Sequence, residues 1–236
     1  MAETPRMAHL MMLFFLGAGM GTISGLLVLL LGALPKSKLA SQMGGALALA
    51  CAGGYTLILL GTAITTPNKT LPMGSWKYFC EADCHIAYSI ASVQTAAMLG
   101  TESSPSQAKG EYVVVKLKTW FDEHSISKFR GNSPLTPDPR HVFLVDANKR
   151  RFLPEQLKPG ILPDTSTPLR RPLRPGESYF TTFVFDVPKE ARELRLLIRD
   201  DDPVSTLVID HETSPFHGKI YLSLQPPLQA TAQSPR

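Results

Sequence analysis

The chain has 236 residues, 44% of them hydrophobic and 19% charged, with a formal net charge of +4. That length holds one large domain, or a membrane segment and one domain of ordinary size. The basic residues gather only in the doublets Arg150-Arg151 and Arg170-Arg171, never in a run or stripe, which excludes a nucleic-acid footprint.

Residues 1–9 are short and polar, with Arg6 as their one certain cation. From Leu10 to Leu34 (LMMLFFLGAGMGTISGLLVLLLGAL) there is no charge, and the run exceeds the ~20 residues that cross a hydrocarbon core. A signal-peptide core would be shorter, with a basic start and a small-x-small cleavage site after it, so the run predicts an uncleaved helix. Pro35-Lys36-Ser37-Lys38 forms a polar turn, and Leu39 to Thr66 is a second uncharged span. Residues 1–66 therefore predict a two-helix transmembrane anchor. Gly17, Gly21 and Gly25 recur every four residues on the first helix, and Gly44, Ala48 and Ala52 do the same on the second. Small residues let backbones approach in lipid, so these positions are the expected packing faces. Neither span holds a charged residue, which argues against an ion or proton path between them. Lys36 and Lys38 lie in the turn, with Arg6 on one flank and Lys69 and Lys77 on the other; the cations close to the spans slightly favour the turn in the cytoplasm and both termini outside.

Residues 67–75 (PNKTLPMGS) read as a linker. Beyond it come short β-like runs: His85–Val93, Glu111–Phe121, His141–Val145, Arg151–Leu153, Ser178–Val187, Leu194–Ile198, Thr206–Ile209 and Lys219–Leu224. In the second run, Val113, Val115, Leu117 and Thr119 share one face, while Tyr112, Val114, Lys116 and Lys118 share the other. TESSPSQAKG, Asp122–Arg140 and residues 154–176 read as loops, and Asp146-Ala147-Asn148-Lys149 as a hairpin turn. Short strands joined by turn-rich loops predict an all-β antiparallel sandwich over residues 76–225, followed by a flexible tail, 226–236.

Four motifs carry a resemblance. They are Pro175-Gly176-Glu177-Ser178-Tyr179 leading to Phe185-Asp186-Val187-Pro188; Phe79-Cys80-Glu81-x-Asp83-Cys84-His85; Arg130-Gly131-Asn132-x-Pro134-Leu135-Thr136-Pro137; and His211-Glu212-x-Ser214-Pro215-x-His217-Gly218-Lys219. Together, over roughly residues 74–224, they resemble the immunoglobulin-like sandwich of uncharacterised bacterial membrane-anchored or secreted proteins. The resemblance implies an extracytoplasmic domain of unknown function and supplies no catalytic residues.

Cys80 and Cys84 are the residues with chemistry to explain, since Cys51 is simplest as a small buried side chain in an apolar segment. In one extended strand their Cα atoms would stand ~13 Å apart, beyond the reach of a disulfide, so a bridge requires a local bend. One reading is that bridge, in keeping with an oxidising compartment. The other is a metal-binding or thiol-redox protein using Cys80, Cys84 and His85, with His211 or His217 completing a copper or zinc site, because thiolate and imidazole suit those ions. The C-x3-C spacing with a distant histidine resembles the copper site of thioredoxin-like chaperones of oxidase assembly, though the alternating βαβ pattern of those proteins is missing. His211 and His217 are six apart with Pro215 between them, which excludes the helical zinc-protease arrangement. Asp200-Asp201-Asp202 lacks the calcium-loop spacing and reads as a solvated turn. Lys128, Arg130, Asn132 and Arg140 mark the long loop as a surface for lipid headgroups or an acidic partner. No catalytic constellation is present, and no cofactor beyond copper or zinc is suggested. The expected protein is a non-catalytic accessory module of the bacterial inner membrane with a periplasmic or extracellular sandwich. Its expected partners are the lipid bilayer and other membrane or envelope proteins.

Overall fold

The computed structural model describes residues 8–34, 36–81, 84–101, 104–157, 161, 166–200 and 202–226. Pro35 of the expected turn, Asp83 of the cysteine motif, Asp201 and the tail beyond residue 226 lie outside them. The chain divides into two compact units. One joins the helical region to Asp202–Lys219, and the other holds Lys69–Asp201 with the segment from Ile220.

In the first unit, α1 (Ala8–Ala33) and α2 (Lys38–Thr65) form a hairpin. Ser37 caps α2, its hydroxyl accepting the Ala40 amide. Both helices are long and apolar enough to cross a membrane. Their glycines decide how closely they pack. A Cβ on Gly25 would lie 2.5 Å from the Ala48 nitrogen, one on Gly32 would meet Ala40 at 2.8 Å, and one on Gly44 would run into the Leu29 backbone. One on Gly21 would lie 2.6 Å from the Cys51 sulfur, whereas Gly17 faces open space and Ala52 is exposed. Leu13, Met20, Ile23, Leu31, Leu49 and Leu57 point outward.

In the second unit, the described residues form nine strands in two sheets. These are β1 (Lys69–Leu71), β2 (Lys77–Glu81), β3 (Cys84–Thr101), β4 (Ser104–Asp122), β5 (Arg140–Val145), β6 (Arg151–Phe152), β7 (Ser178–Val187), β8 (Arg195–Asp200) and β9 (Ile220–Ser223). One sheet runs β1-β9-β8-β5-β6 and the other β2-β3-β4-β7. Only β1 and β9 pair in parallel. Both sheets feed a single core. Phe79, Ile86, Tyr88, Val115, Leu117, Phe121 and Phe185 come from the four-stranded sheet, and Val142, Leu144, Leu196, Ile198 and Leu222 from the other. This is a β-sandwich.

On β4 the inward face is the expected one, with Val113, Val115, Leu117 and Thr119 buried. On its other face Lys118 lies over the Trp76 ring, and Trp76 packs against Trp120 at 5.3 Å. Three sequence expectations are corrected. The supposed loop TESSPSQAKG is strand on both limbs of a long β3–β4 ribbon, because cross-strand pairing overrides the weak strand propensity of Ser, Gln and Gly. The supposed linker 67–75 contains β1. Thr206–Ile209 is no strand: it lies in a 3-10 turn, Val204–Leu207, and the bend after it.

Candidate functional site

The corner where β2, β3 and β4 end gathers the most varied side chains. Register puts Cys80 opposite His85, and His85 opposite Asp122. Paired residues of antiparallel strands point to the same face, so the three form a row on the outer surface of the sheet. Cys84 pairs with Glu81, one step along, and faces the core at 3% exposure. The two thiols therefore stand on opposite faces of the hairpin, and no disulfide joins them. The bend expected before His85 is the β2–β3 hairpin itself, but alternation along its strands puts the two thiols on opposite faces, which overturns the bridge and turns Cys84 away from Cys80.

The turn after β4 completes the corner. Asp122 Oδ1 accepts the His124 amide at 3.0 Å and lies 3.3 Å from His124 Nδ1, while Glu123 Oε1 is 4.0 Å from the same nitrogen. The three potential ligand atoms lie within 4.8 Å of one another. Ser125 locks this turn to β3, accepting the His85 amide at 2.8 Å and donating to the Asp122 carbonyl at 2.7 Å. The Tyr78 ring meets His85 edge-on at 6.3 Å. Burial, and secondarily the Asp122 charge, push the Tyr78 phenol above its ordinary value. Sequence reasoning missed Asp122, Glu123 and His124; the cue available to it was a Cys-His motif and an Asp-Glu-His triplet at the two ends of neighbouring strands.

The other expected ligands are engaged elsewhere. His211 Nδ1 lies 2.7 Å from Thr213 Oγ1. His217 presents Nδ1 to the Gly218 carbonyl at 2.7 Å and Nε2 to Asp210 at 3.2 Å, so both nitrogens face oxygen acceptors. That is the wrong setting for a metal-ligating imidazole.

The expected partner loop is partly tied down. Leu135 and Leu173 exchange amide–carbonyl bonds of 2.9 Å in both directions, and Arg174 donates to the Asn132 carbonyl at 3.1 Å. Arg130 covers the Phe121 ring at 5.4 Å, and Lys128 is exposed. Arg140 is corrected. It opens β5, its side chain is 1% exposed, and it pairs with Asp200 across the sheet.

No protein-family model and no curated protein matches the chain. Among solved structures, it is similar to a secreted protein of Mycobacterium tuberculosis, MPT63, with 10% identity, a TM-score of 0.43 and coverage of 66% of this chain and 97% of that one. An uncharacterized β-sandwich protein of Clostridium difficile aligns at 11% identity and TM-score 0.37, covering 68% and 96%. The yjhA protein of Bacillus subtilis aligns at 12% identity and TM-score 0.39, covering 66% and 99%.

Proposed function

We propose that this chain is a membrane-anchored, immunoglobulin-like β-sandwich that serves, without catalysis of its own, as an accessory or interaction module of the bacterial cell envelope. The helical hairpin carries the anchor reading, because Gly21, Gly25, Gly32 and Gly44 face the partner helix while many of its leucines, isoleucines and methionines face outward. That is the reverse of a water-soluble helix pair and suits packing in lipid. The immunoglobulin-like assignment is supported by the chain's passage between the sheets, from β1 to β2–β4, back to β5 and β6, then to β7 and back to β8 and β9.

The β3–β4 ribbon supports the interaction role. Beyond Tyr88, β3 has β4 as its one described neighbour, and β4 extends past its pairing with β7, which stops at Glu111. From Ile86 to Thr101 the chain holds no charged residue and no proline. Sheet edges are ordinarily guarded by such residues, so this limb is open to an added strand. Alkaline carbonate extraction and external protease test the anchor: the chain stays in the membrane fraction while the sandwich is cut from the non-cytoplasmic side. Lysines at Thr95 and Ala97 weaken cross-linking to membrane neighbours without releasing the chain. Extraction into carbonate, or reproducible turnover of a substrate by the purified protein, overturns the reading.

One observation favours a second reading, a divalent-cation site at the β2–β3–β4 corner. It rests on the Asp122-Glu123-His124 triad lying beside the Cys80–His85–Asp122 row. Ligands ~2 Å from a zinc ion lie no more than ~4 Å apart, so small side-chain rotations close the triad. Zinc retained after dialysis is lost in Asp122→Asn and His124→Ala and kept in Cys84→Ala; a parent protein that retains none overturns this reading.

A further inference from the structure

Residues 202–219 belong with the helical hairpin in one compact unit. They touch α2 and its exit at two heights. At the upper one, the Lys219 amide donates to Asn68 Oδ1 at 2.8 Å, and Gly218 approaches the Pro67 and Thr66 carbonyls too closely to admit a Cβ. At the lower one, Tyr55 Oη donates to the Leu207 carbonyl at 2.6 Å. Tyr55 lies roughly 15 Å back along α2 from its end at Thr65, at 1.5 Å per residue. The segment thus descends beside the helix.

That descent carries apolar side chains outward. Val204, Leu207 and Phe216 are 43%, 48% and 78% exposed. Apart from Asp202 and Asp210, which are exposed, several of the segment's polar groups are turned on one another. Ser205 Oγ donates to the Asp202 carbonyl at 2.6 Å, Ser214 Oγ to the Val208 carbonyl at 2.6 Å, and the Lys219 ammonium to the carbonyls of Glu212 and Ser214. Thr213 lies within hydrogen-bond distance of both Ser205 and His211. Irregular backbone near hydrocarbon must satisfy its own donors and acceptors, and hydroxyl, imidazole and ammonium groups do that here.

Depth follows from α2. About 20 helical residues cross the hydrocarbon, so a span counted from Leu39 ends near Ile58. Tyr55 falls in its last turn, at the boundary where tyrosines concentrate, with the Phe15 ring 6.0 Å away on α1.

We propose that the segment around Val204, Leu207 and Phe216 is an interfacial loop that enters the leaflet opposite the helical turn, with the phospholipid bilayer as its partner. The proposal rests on the membrane-anchored reading above. The experiment uses the full chain in phosphatidylcholine–phosphatidylglycerol vesicles containing lipids with a nitroxide near the headgroup. An environment-sensitive fluorophore is placed at Leu207→Cys, Val204→Cys, Leu57→Cys or Lys149→Cys, in a background lacking Cys51, Cys80 and Cys84. Leu57 reports the helix and Lys149 the solvent-exposed sandwich. Labels at 204 and 207 lose fluorescence to the lipid nitroxide as the label at 57 does, with blue-shifted emission, and Tyr55→Phe reduces the loss at 207 but not at 57. Quenching at 57 with none at 204 and 207 overturns the loop and leaves the anchor standing. Shielding of 207 from both the lipid nitroxide and aqueous iodide means protein covers it, which also overturns the proposal. No quenching at 57 overturns the anchor reading itself.

Discussion

Phe79 is held between two buried cations. The Lys77 ammonium lies 5.1 Å from its ring centre and the Arg140 guanidinium 4.5 Å. Buried charge is costly unless compensated. Lys77 donates to the carbonyls of Ile198 at 2.7 Å and Ile220 at 2.9 Å, tying β2 to the opposite sheet, and Arg140 is matched by Asp200. Removing them has unequal effects. Arg140→Ala removes the guanidinium that pairs with the Asp200 carboxylate, itself 14% exposed, and costs about 3 kcal/mol or more. Lys77→Met removes the ammonium bonds to the Ile198 and Ile220 carbonyls and costs about 1–3 kcal/mol. Urea unfolding followed by fluorescence of the Trp76–Trp120 pair ranks the two, and an equal or reversed order refutes this account. From sequence, Arg140 reads as a loop cation because it follows Pro137-Asp138-Pro139, and its burial depends on an aspartate 60 residues away that itself reads as solvated. Asp146 gives a pH-dependent case. It is buried, and loss of water works to raise its carboxyl, but Arg150 donates through its side chain at 2.7 Å and its amide at 2.8 Å, so the net shift is downward from 3.8. Its stabilising contribution is present above that ordinary value and is lost as pH falls through the lower folded-state value. Asp146→Asn is therefore less stable than the parent at neutral pH, and the gap in urea midpoint narrows on acidification below 3.8.

At the scale of elements, the helical hairpin separates glycines that matter from one that does not. Gly44→Leu forces a side chain into the Leu29 backbone and drives the helices apart, whereas Gly17→Leu enters open space. Cysteine cross-linking between the helices near Gly25 falls sharply in the first variant and is unchanged in the second; equal behaviour would show that the helices do not pack on this face. The four-residue recurrence was visible in the sequence, but which of its members face the partner depends on the crossing, and the helices are close at Gly25 and Gly32 and apart at Gly17. The β4 face was equally legible, since Lys116 and Lys118 on one side against Val115 and Leu117 on the other leave one orientation with a buried side. The ribbon was not legible. Its outer limbs are rich in Ala, Ser, Gln, Thr and Gly, residues that look like loop until their partners across the hairpin are known, and it departs from the sheet where Asp186 takes the Lys109 and Gly110 amides at 2.7 and 3.0 Å. The Cys80–His85–Asp122 row was hidden for a related reason: His85 and Asp122 are neighbours only through the register of β3 and β4.

At the scale of the molecule, the unit boundary does not follow the order of the chain, because residues 202–219 sit with the helices although they join β8 to β9. Removing residues 1–66 keeps every strand, since β1 begins at Lys69, but deprives Leu207 of the Tyr55 hydroxyl. Limited proteolysis of that shortened protein is expected to cut between Leu207 and Phe216 at positions protected in the full chain. Equal resistance would mean the segment holds its shape unaided. The sheet order has a temporal corollary. β9, the last of the described strands, lies between β1 and β8. During synthesis the five-stranded sheet therefore waits with a gap between β1 and β8, and β1, tethered to helices already made, has no described strand to pair with until β9 emerges. Non-local closure of this kind is slow, and unpaired edges invite misassembly while it is pending. Assembly of the sandwich is thus governed by the arrival of Ile220–Ser223, long after the helices have been made.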